Sequence, residues 1–340
     1  MRVTRQISEQ CLAARKNCVL FDHPNRGVIE VSGRDRVQFL HNILSSDVKS
    51  LQPGKGNPSC FLTAQAKIIA SMNVLCFDEH LWLAMDYVLK DKVLEHLAQL
   101  IFTEEVILTD RSDTLKLISV HGPRAKDLLG DLFAAQAAQD VTAELLDHKS
   151  IAIGPVTAVV IRINIIAEIG YAFLIPKNQA GKVREEIESK GVPFGLATIQ
   201  AEALETLRIE AGIPRYGIDF DESHIPLEAR LNQTVSFTKG CFPGQEILAR
   251  LDSRGGVSKK LVGLVIDGET IPQKNDRILT EGQEAGTVTS GAFSPALQKV
   301  IALGYVKKGF WDVGCEVAIQ TQEKTVAAKV ESLPFASRKS

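Results

Sequence analysis

The sequence predicts an α+β fold in which helices pack on antiparallel sheets, followed by a small antiparallel β-barrel. Helix-like and strand-like segments are interleaved up to residue 254, and short strand-like segments with regular turn signals fill the rest of the 340 residues. The sequence texture changes at Arg254-Gly255-Gly256. We therefore expect one region at 1–254, built from two subdomains, and a barrel domain at 255–340.

Apolar periodicity separates helices from strands in the first region. The segment 87–102 is typical of an amphipathic helix on a sheet, because its apolar residues recur at three-to-four spacing and charged residues take the other side. The predicted strands are 26–31, 66–77, 115–120, 158–166 and 172–175. The predicted helices are 34–44, 87–102, 124–133, 179–190 and 198–212.

The second region contains only strand signals. Asp267-Gly268 and Glu281-Gly282 are turn signals between short runs that favour extended structure. The predicted strands are 260–266, 277–280, 286–290, 300–306, 316–319 and 322–333. Regular short strands with such turns indicate a compact antiparallel barrel of about 80 residues.

Composition excludes several classes of protein. The formal net charge of -2 gives no global basic field, so we expect no direct nucleic-acid partner and no membrane association. The longest apolar stretch, near 156–169, is interrupted by Arg162, Asn164 and Glu168. Six scattered cysteines without a C-x-x-C pair indicate a reducing compartment, here the cytoplasm, and the histidines show no metal-binding spacing, so we expect no metal site.

The segment 239–246, K-G-C-F-P-G-Q-E, is the strongest candidate for chemistry. Its glycines and proline predict a sharp turn, and the apolar spacing that follows predicts a helix beginning at Gln245. Cys241 would then lie just before a helix N-terminus, where Lys239 and the helix dipole favour the reactive thiolate. The alternative is a buried structural cysteine, because unpaired cysteines are often small core hydrophobes.

Three motifs together resemble known families. K-G-C-F-P-G-Q-E, with I-P-L-E-A at 225–229 before it, resembles the folate-binding YgfZ family, which assists iron-sulfur cluster assembly. R-I-E-A-G-I-P-R-Y-G at 208–217 and V-S-G-R-D-R at 31–36 are similar to elements of the wider glycine-cleavage T-protein (aminomethyltransferase) superfamily. The resemblance covers most of the chain and implies an aminomethyltransferase-like folate-binding region at 1–254.

The resemblance also implies a cofactor, tetrahydrofolate or a derivative, and residues that would hold it. Glu210, expected at the flank of its helix between core and cleft, would accept hydrogen bonds from the pterin edge, and Tyr216 could stack on the ring. The glutamate tail of folate needs cations, which Lys239, Arg230 and Arg250 could supply together with Arg254. The alternatives are a helix carboxylate paired with an arginine, ordinary packing of the tyrosine, and solvated surface cations.

One departure bears on catalysis. True aminomethyltransferases carry an aspartate in a G-K-x-x-D-D-like element, whose best counterpart here, A-K-I-I-A-S at 66–71, contains no carboxylate. The resemblance therefore implies an accessory factor for iron-sulfur cluster assembly or repair, supporting enzymes that include tRNA-modifying ones, with client or assembly proteins as partners and Cys241 as its thiol. The alternative is a tetrahydrofolate-dependent aminomethyltransferase that uses another acid. A third hypothesis, an RNA-binding barrel, is disfavoured by the charge balance.

Overall fold

The computed structural model describes residues 5–24, 26–133, 144–253 and 255–335. It confirms the predicted fold class, with two sheets, packed helices and a closed six-stranded antiparallel barrel. No helix in the described ranges is long and apolar enough to cross a lipid bilayer.

The elements are numbered in chain order over these described residues. The helices are α1 (Arg5–Lys16), α2 (Arg36–Ile43), α3 (Lys90–Gln99), α4 (Ala125–Leu132), α5 (Ala180–Gly191), α6 (Ala201–Glu210) and α7 (Gln245–Ser253). The strands before α7 are β1 (Val19–Asp22), β2 (Arg26–Ser32), β3 (Gly56–Leu62), β4 (Ile68–Cys76), β5 (His80–Asp86), β6 (Ile107–Asp110), β7 (Leu115–His121), β8 (His148–Ile153), β9 (Val156–Ile163), β10 (Gly170–Pro176) and β11 (Ala197–Thr198). The strands after α7 are β12 (Lys259–Ile266), β13 (Arg277–Thr280), β14 (Gln283–Ser294), β15 (Lys299–Lys307), β16 (Glu316–Gln320) and β17 (Thr325–Glu331).

Each predicted helix and strand corresponds to an observed element whose ends differ by a few residues. Sequence analysis missed α1, β1, β3, β5, β6, β8 and β11. In α1 the buried positions Ile7, Cys11 and Ala14 have helical spacing, but cysteine and alanine are weak signals for an apolar face. Three of the six missed strands, β1, β6 and β11, have four residues or fewer. The alternating burial of β5 was the clearest signal that was overlooked.

The first sheet is antiparallel, with the strand order β3-β4-β5-β2-β6. Helices α2 and α3 cover one face, where Phe39, Leu40, Val93 and Leu97 meet the inward residues of β2, β4 and β5. This packing buries the apolar stripe that the sequence predicts for α3.

The second sheet has the order β11-β1-β7-β10-β9-β8, with β11 pairing parallel to β1 and every other pair antiparallel. Helices α4 and α5 cover one of its faces. The other face packs against the first sheet, because Val159, Ile161 and Leu174 share a core with Val28 and Leu75. The two sheets therefore form the inner layers of the first region.

The barrel closes in the order β12-β15-β14-β13-β16-β17. Its inward residues are mostly valine, isoleucine, leucine and alanine, as expected for a small barrel filled by side chains. Helix α6 joins the barrel to the first region, since Ile209 packs against Leu261, Leu303 and Tyr305 on the outer face of the barrel. Helix α6 is therefore packed between α1 and the barrel.

Candidate functional site

The first residues of β4 are a meeting point of three segments. The turn before β4 places Ala66 in the left-handed region, with φ 62°, and closes with a hydrogen bond of 2.9 Å from Ala66 N to Thr63 O. Ile68 N donates to His224 O at 3.0 Å, and the Lys67 ammonium donates to Ser223 O. The loop around residue 224 is therefore fixed to the A-K-I-I-A-S segment.

The K-G-C-F-P-G-Q-E loop packs on the same turn. Gly244 has φ +83°, and a Cβ there would lie 2.7 Å from Ala66 Cα and 2.8 Å from Thr63 O, so only glycine fits this approach. Phe242 is buried beside Ala66 in a shared apolar core. Helix α7 begins at Gln245, as predicted.

Lys239 holds the end of α2. It is 8% exposed, and its ammonium donates hydrogen bonds to the backbone carbonyls of His41, Leu44 and Ser46. Burial lowers the pKa of Lys239 to about 8, although Asp47 opposes the shift. All three ammonium hydrogens are engaged at α2, so the predicted role of Lys239 as the cation that activates Cys241 has no geometric basis here.

All six cysteines lie in the described ranges. Cys241 is exposed, and the other five are buried or partly buried. Burial raises the pKa of Cys60 and of Cys11 to about 12. Cys18 donates to Phe194 O at 3.7 Å in a separate core and does not approach Cys241. No group of three or more potential metal ligands is present in the described part of the chain.

The side chain of Tyr216 contacts β4 and lies beside the carboxylate of Glu222, which the sequence analysis did not single out. Its hydroxyl donates to Ile69 O at 3.4 Å and to Glu222 Oε1 at 3.5 Å. Burial, followed by the nearby Glu222 and Asp221 carboxylates, raises the pKa of Tyr216 to about 12. Glu222 itself pairs with Lys92 of α3. The D-F-D-E sequence shortly after Tyr216 was the signal available for Glu222.

Glu210 is not at a border between core and cleft, which corrects the sequence prediction. Its side chain is fully buried because α1 and the barrel cover the end of α6. Oε2 accepts a hydrogen bond from Arg15, whose side chain is 19% exposed, and Oε1 accepts one from Ser294 of β14. Both carboxylate oxygens therefore have partners within the chain.

A second buried network lies on the same helix. Arg208 pairs with Asp219 and Glu205 and donates to Ser290 Oγ at 2.7 Å. Asp219 is 1% exposed and accepts a further hydrogen bond of 2.6 Å from Thr289. Arg208 is thus a structural ion-pair partner, and the network fixes α6 to the barrel.

The remaining predicted cations are dispersed. Arg230 is half-buried with φ 60°, makes no hydrogen bond or ion pair with any residue that the structure describes, and has its pKa lowered by burial. Arg250 is exposed on α7, and Arg254 lies outside the described residues. The structure does not bring these cations together around Cys241.

The position of the missing aspartate is occupied by apolar and neutral side chains. Ala70 is fully buried in the core under α2, and Ser71 is partly buried. Asp86 pairs with Arg26 at the end of the neighbouring strand, so it is committed elsewhere. Glu222 is the carboxylate that contacts this part of β4, through Tyr216.

Comparison with protein families agrees with this architecture. Residues 2–239 match the model of the GCVT N-terminal domain, and residues 259–336 match that of the glycine cleavage T-protein C-terminal barrel domain. The aminomethyltransferase of Chloroherpeton thalassium is 31% identical over 328 residues, which cover 95% of this chain and 88% of that protein. The mitochondrial aminomethyltransferase of Dictyostelium discoideum is 28% identical, over 97% of this chain and 84% of that protein.

A solved structure shows the same fold. The aminomethyltransferase T of the Bartonella henselae glycine cleavage system superposes with a TM-score of 0.85 at 24% identity, covering 98% of this chain and 90% of the other. The two consecutive matches thus define one architecture, a GCVT N-terminal domain followed by a glycine cleavage T-protein C-terminal barrel domain. The chain belongs to the glycine cleavage T-protein family.

Proposed function

We propose that the protein binds a reduced folate, tetrahydrofolate or a derivative, and carries out aminomethyl transfer of the kind for which its relatives are named. The proposal rests on one observation. The carboxylate of Glu222 lies beside β4, the strand in which the expected aspartate is absent. Glu222 meets the Tyr216 hydroxyl, which also reaches Ile69 O on β4. The identity of 31% over 95% of the chain with an aminomethyltransferase supports the same function.

Methylene transfer from an aminomethylated carrier forms two C–N bonds to tetrahydrofolate and breaks the methylene's bonds to the carrier and to the amino nitrogen. Two protons must therefore move from folate nitrogens to these two leaving groups. The Glu222 carboxylate, which pairs with Lys92, is the group that we assign to accept such a proton. Tyr216 keeps its proton at neutral pH because its pKa is raised to about 12, so it serves as a hydrogen-bond donor that orients the carboxylate.

Glu210 is the pterin anchor in this proposal, as the family resemblance implies. A pterin edge and the Arg15 guanidinium present similar planar N–H donors, so a bound pterin would replace Arg15 at Glu210. Of the predicted tail-binding cations, Arg230 is the best suited, because its guanidinium is half-buried without a partner in the described ranges. Lys239 is already committed to α2.

A second candidate function has its own observation. Cys241 is exposed on the K-G-C-F-P-G-Q-E loop, and no packing role explains its thiol. This favours the function that the motif resemblance implies first, a YgfZ-like folate-binding accessory factor for iron-sulfur cluster assembly or repair that works through Cys241. Its clients and any role in tRNA modification rest on the motif resemblance alone.

One set of assays separates the candidates. Calorimetry with tetrahydrofolate measures binding, and formation of methylene-tetrahydrofolate from an aminomethylated carrier protein measures transfer. We expect turnover in the wild type, and a loss of about 10²- to 10⁴-fold in kcat for Glu222→Gln with the folate affinity unchanged. The matched control is Glu185→Gln, an exposed carboxylate on α5, which covers the second sheet and not the sheet that contains β4.

Tight folate binding without turnover would refute the transferase proposal. The accessory function then predicts that Cys241→Ser binds folate normally but fails to restore iron-sulfur enzyme activity in cells that lack the factor, because a hydroxyl cannot replace a thiolate ligand or disulfide partner. Full restoration by Cys241→Ser would remove that candidate as well.

A further inference from the structure

Two segments cover the carboxylate of Glu210, and they are held to the rest of the fold in different ways. Helix α1 covers it through Arg15, and strand β14 of the barrel covers it through Ser294. The Glu210 side chain is fully buried between them. A folate can therefore reach this carboxylate only if one of the two segments moves aside.

The barrel is firmly attached to α6. Ile209 packs against buried apolar residues of β12 and β15, and the buried Arg208–Asp219 ion pair is hydrogen-bonded to β14. After β17, Phe335 N donates a hydrogen bond of 2.9 Å to Glu210 O. Moving β14 away would expose an apolar core and break a buried charge network, and both changes cost free energy.

Helix α1 is attached to α6 by smaller side chains. The buried residues of α1 are Ile7, Cys11 and Ala14, and two of these three are small. They share a core with Ala203 and Leu207 of α6. Separating a contact of small residues exposes less apolar area than separating one made by leucine or phenylalanine side chains. Of the two covers, α1 is therefore the one that opens at the lower cost.

The contact that closes α1 over Glu210 is incomplete. Arg15 Nη2 donates to Glu210 Oε2, whereas Arg15 Nε is buried and has no hydrogen-bond partner among the residues that the structure describes. A buried donor without a partner is unfavourable. Two parallel hydrogen bonds to a carboxylate are stronger than one, and a pterin edge offers two adjacent donors. A pterin is therefore suited to displace Arg15.

We propose that α1 is an autoinhibitory lid over Glu210 and that Arg15 is the residue that closes it. This inference rests on the proposed folate binding and adds the way in which access to the site is controlled. With the lid closed, the guanidinium occupies the place at Glu210 Oε2 that the pterin edge takes in the proposed complex. The apparent folate affinity then depends on the fraction of molecules in which α1 is open.

The first test measures the association of tetrahydrofolate with the intact protein by stopped-flow fluorescence. We expect Arg15→Gln to bind at least about fivefold faster than the wild type, because the closing ion pair is lost. The matched control is Arg5→Gln, which removes the same charge from the same helix. Arg5 is exposed and pairs with Glu9 of α1, so the control should stay within about twofold of the wild type.

A disulfide tests whether the helix itself moves. Cys11 Sγ lies 3.7 Å from Ala203 O, so Ala203→Cys places a second thiol beside the native Cys11. After oxidation, shown by the loss of two titratable thiols, association should slow at least about tenfold, and dithiothreitol should restore the rate. The control is Cys11→Ser/Ala203→Cys, which cannot form this bridge and should keep the same rate after oxidation.

The outcomes separate the lid from the proposed function. Absence of tetrahydrofolate binding by the wild type and by Arg15→Gln would remove the proposed folate function, and the lid with it. Equal association rates for the bridged and reduced forms would overturn the lid alone, because the Arg15 side chain would then move without the helix. If the bridge does not form, equal rates for Arg15→Gln and Arg5→Gln would overturn the lid in the same way.

Discussion

Replacing Glu210 with glutamine tests how much the carboxylate contributes to the fold. The side chain is fully buried, and its oxygens accept hydrogen bonds from Arg15 and Ser294. Removing one partner of a buried ion pair typically destabilises a protein by about 3–5 kcal/mol. We expect the lower end, about 3 kcal/mol, because the amide oxygen can still accept one hydrogen bond and Arg15, 19% exposed, can reach water.

The same substitution tests the proposed pterin anchor. Loss of the charge and of one acceptor should weaken tetrahydrofolate binding about tenfold, or 1.4 kcal/mol. Arg15→Gln should separate the two roles, because it breaks the ion pair but leaves the Glu210 carboxylate free for a ligand. We therefore expect Arg15→Gln to lower the free energy of unfolding without lowering folate affinity.

Urea unfolding followed by circular dichroism measures stability, and calorimetry at a temperature where every variant is folded measures affinity. Ser294→Ala is the control, since it removes one hydrogen bond without changing a charge and should cost about 1 kcal/mol. A loss below about 1 kcal/mol for Glu210→Gln would refute the argument from the buried pair. Unchanged folate affinity would remove Glu210 from the binding site.

Two further predictions concern the K-G-C-F-P-G-Q-E loop. Lys239→Met should lower the free energy of unfolding by about 2–4 kcal/mol, because three buried carbonyls of the α2 end lose their donor, while labelling of Cys241 by a thiol reagent should be unchanged. The pKa of Lys239 is about 8 in the folded protein and 10.5 at its ordinary value. Between pH 8 and 10.5 the unfolded chain therefore binds more protons at this residue than the folded chain does. The stability of the wild type relative to Lys239→Met should therefore rise with pH in that window. Gly244→Ala should destabilise by more than about 1 kcal/mol, since its Cβ would meet backbone atoms at a positive φ, whereas Gly240→Ala, with open space around it, should be neutral; equal melting temperatures for the two alanine variants would contradict this.

The sequence predicted the elements that have clear periodicity or turn signals, and it missed others, including the 12-residue α1. Helix α3 and the barrel strands have clear periodicity and turn signals, and the structure confirms them. Strands β1 and β6 have four residues each, too few to establish a period. The closed order of the barrel and the face-to-face packing of the two sheets depend on long-range pairing, which no local pattern encodes.

The surroundings of the candidate site residues depend on segments that are distant in sequence. Helical spacing placed Glu210 on a flank that a lone helix would leave open, but the residue is fully buried. Helix α1 and strand β14 come from distant parts of the chain and cover that flank. The sequence analysis did not single out Glu222 for the same reason. Its contact with Tyr216 beside β4 depends on the conformation of the loop that contains both residues.

The two motifs that carry the family resemblance differ in what their structure explains. In R-I-E-A-G, Arg208 and Glu210 each have a buried partner that joins α6 to the rest of the fold, so these residue types are accounted for without any ligand. In K-G-C-F-P-G-Q-E, Lys239 and Gly244 likewise have structural roles, but the exposed thiol of Cys241 has none. Because the surrounding structure does not account for the Cys241 thiol, we look for its role in the function of the protein. We therefore expect Cys241→Ser to test the proposed accessory function without changing the stability of the fold.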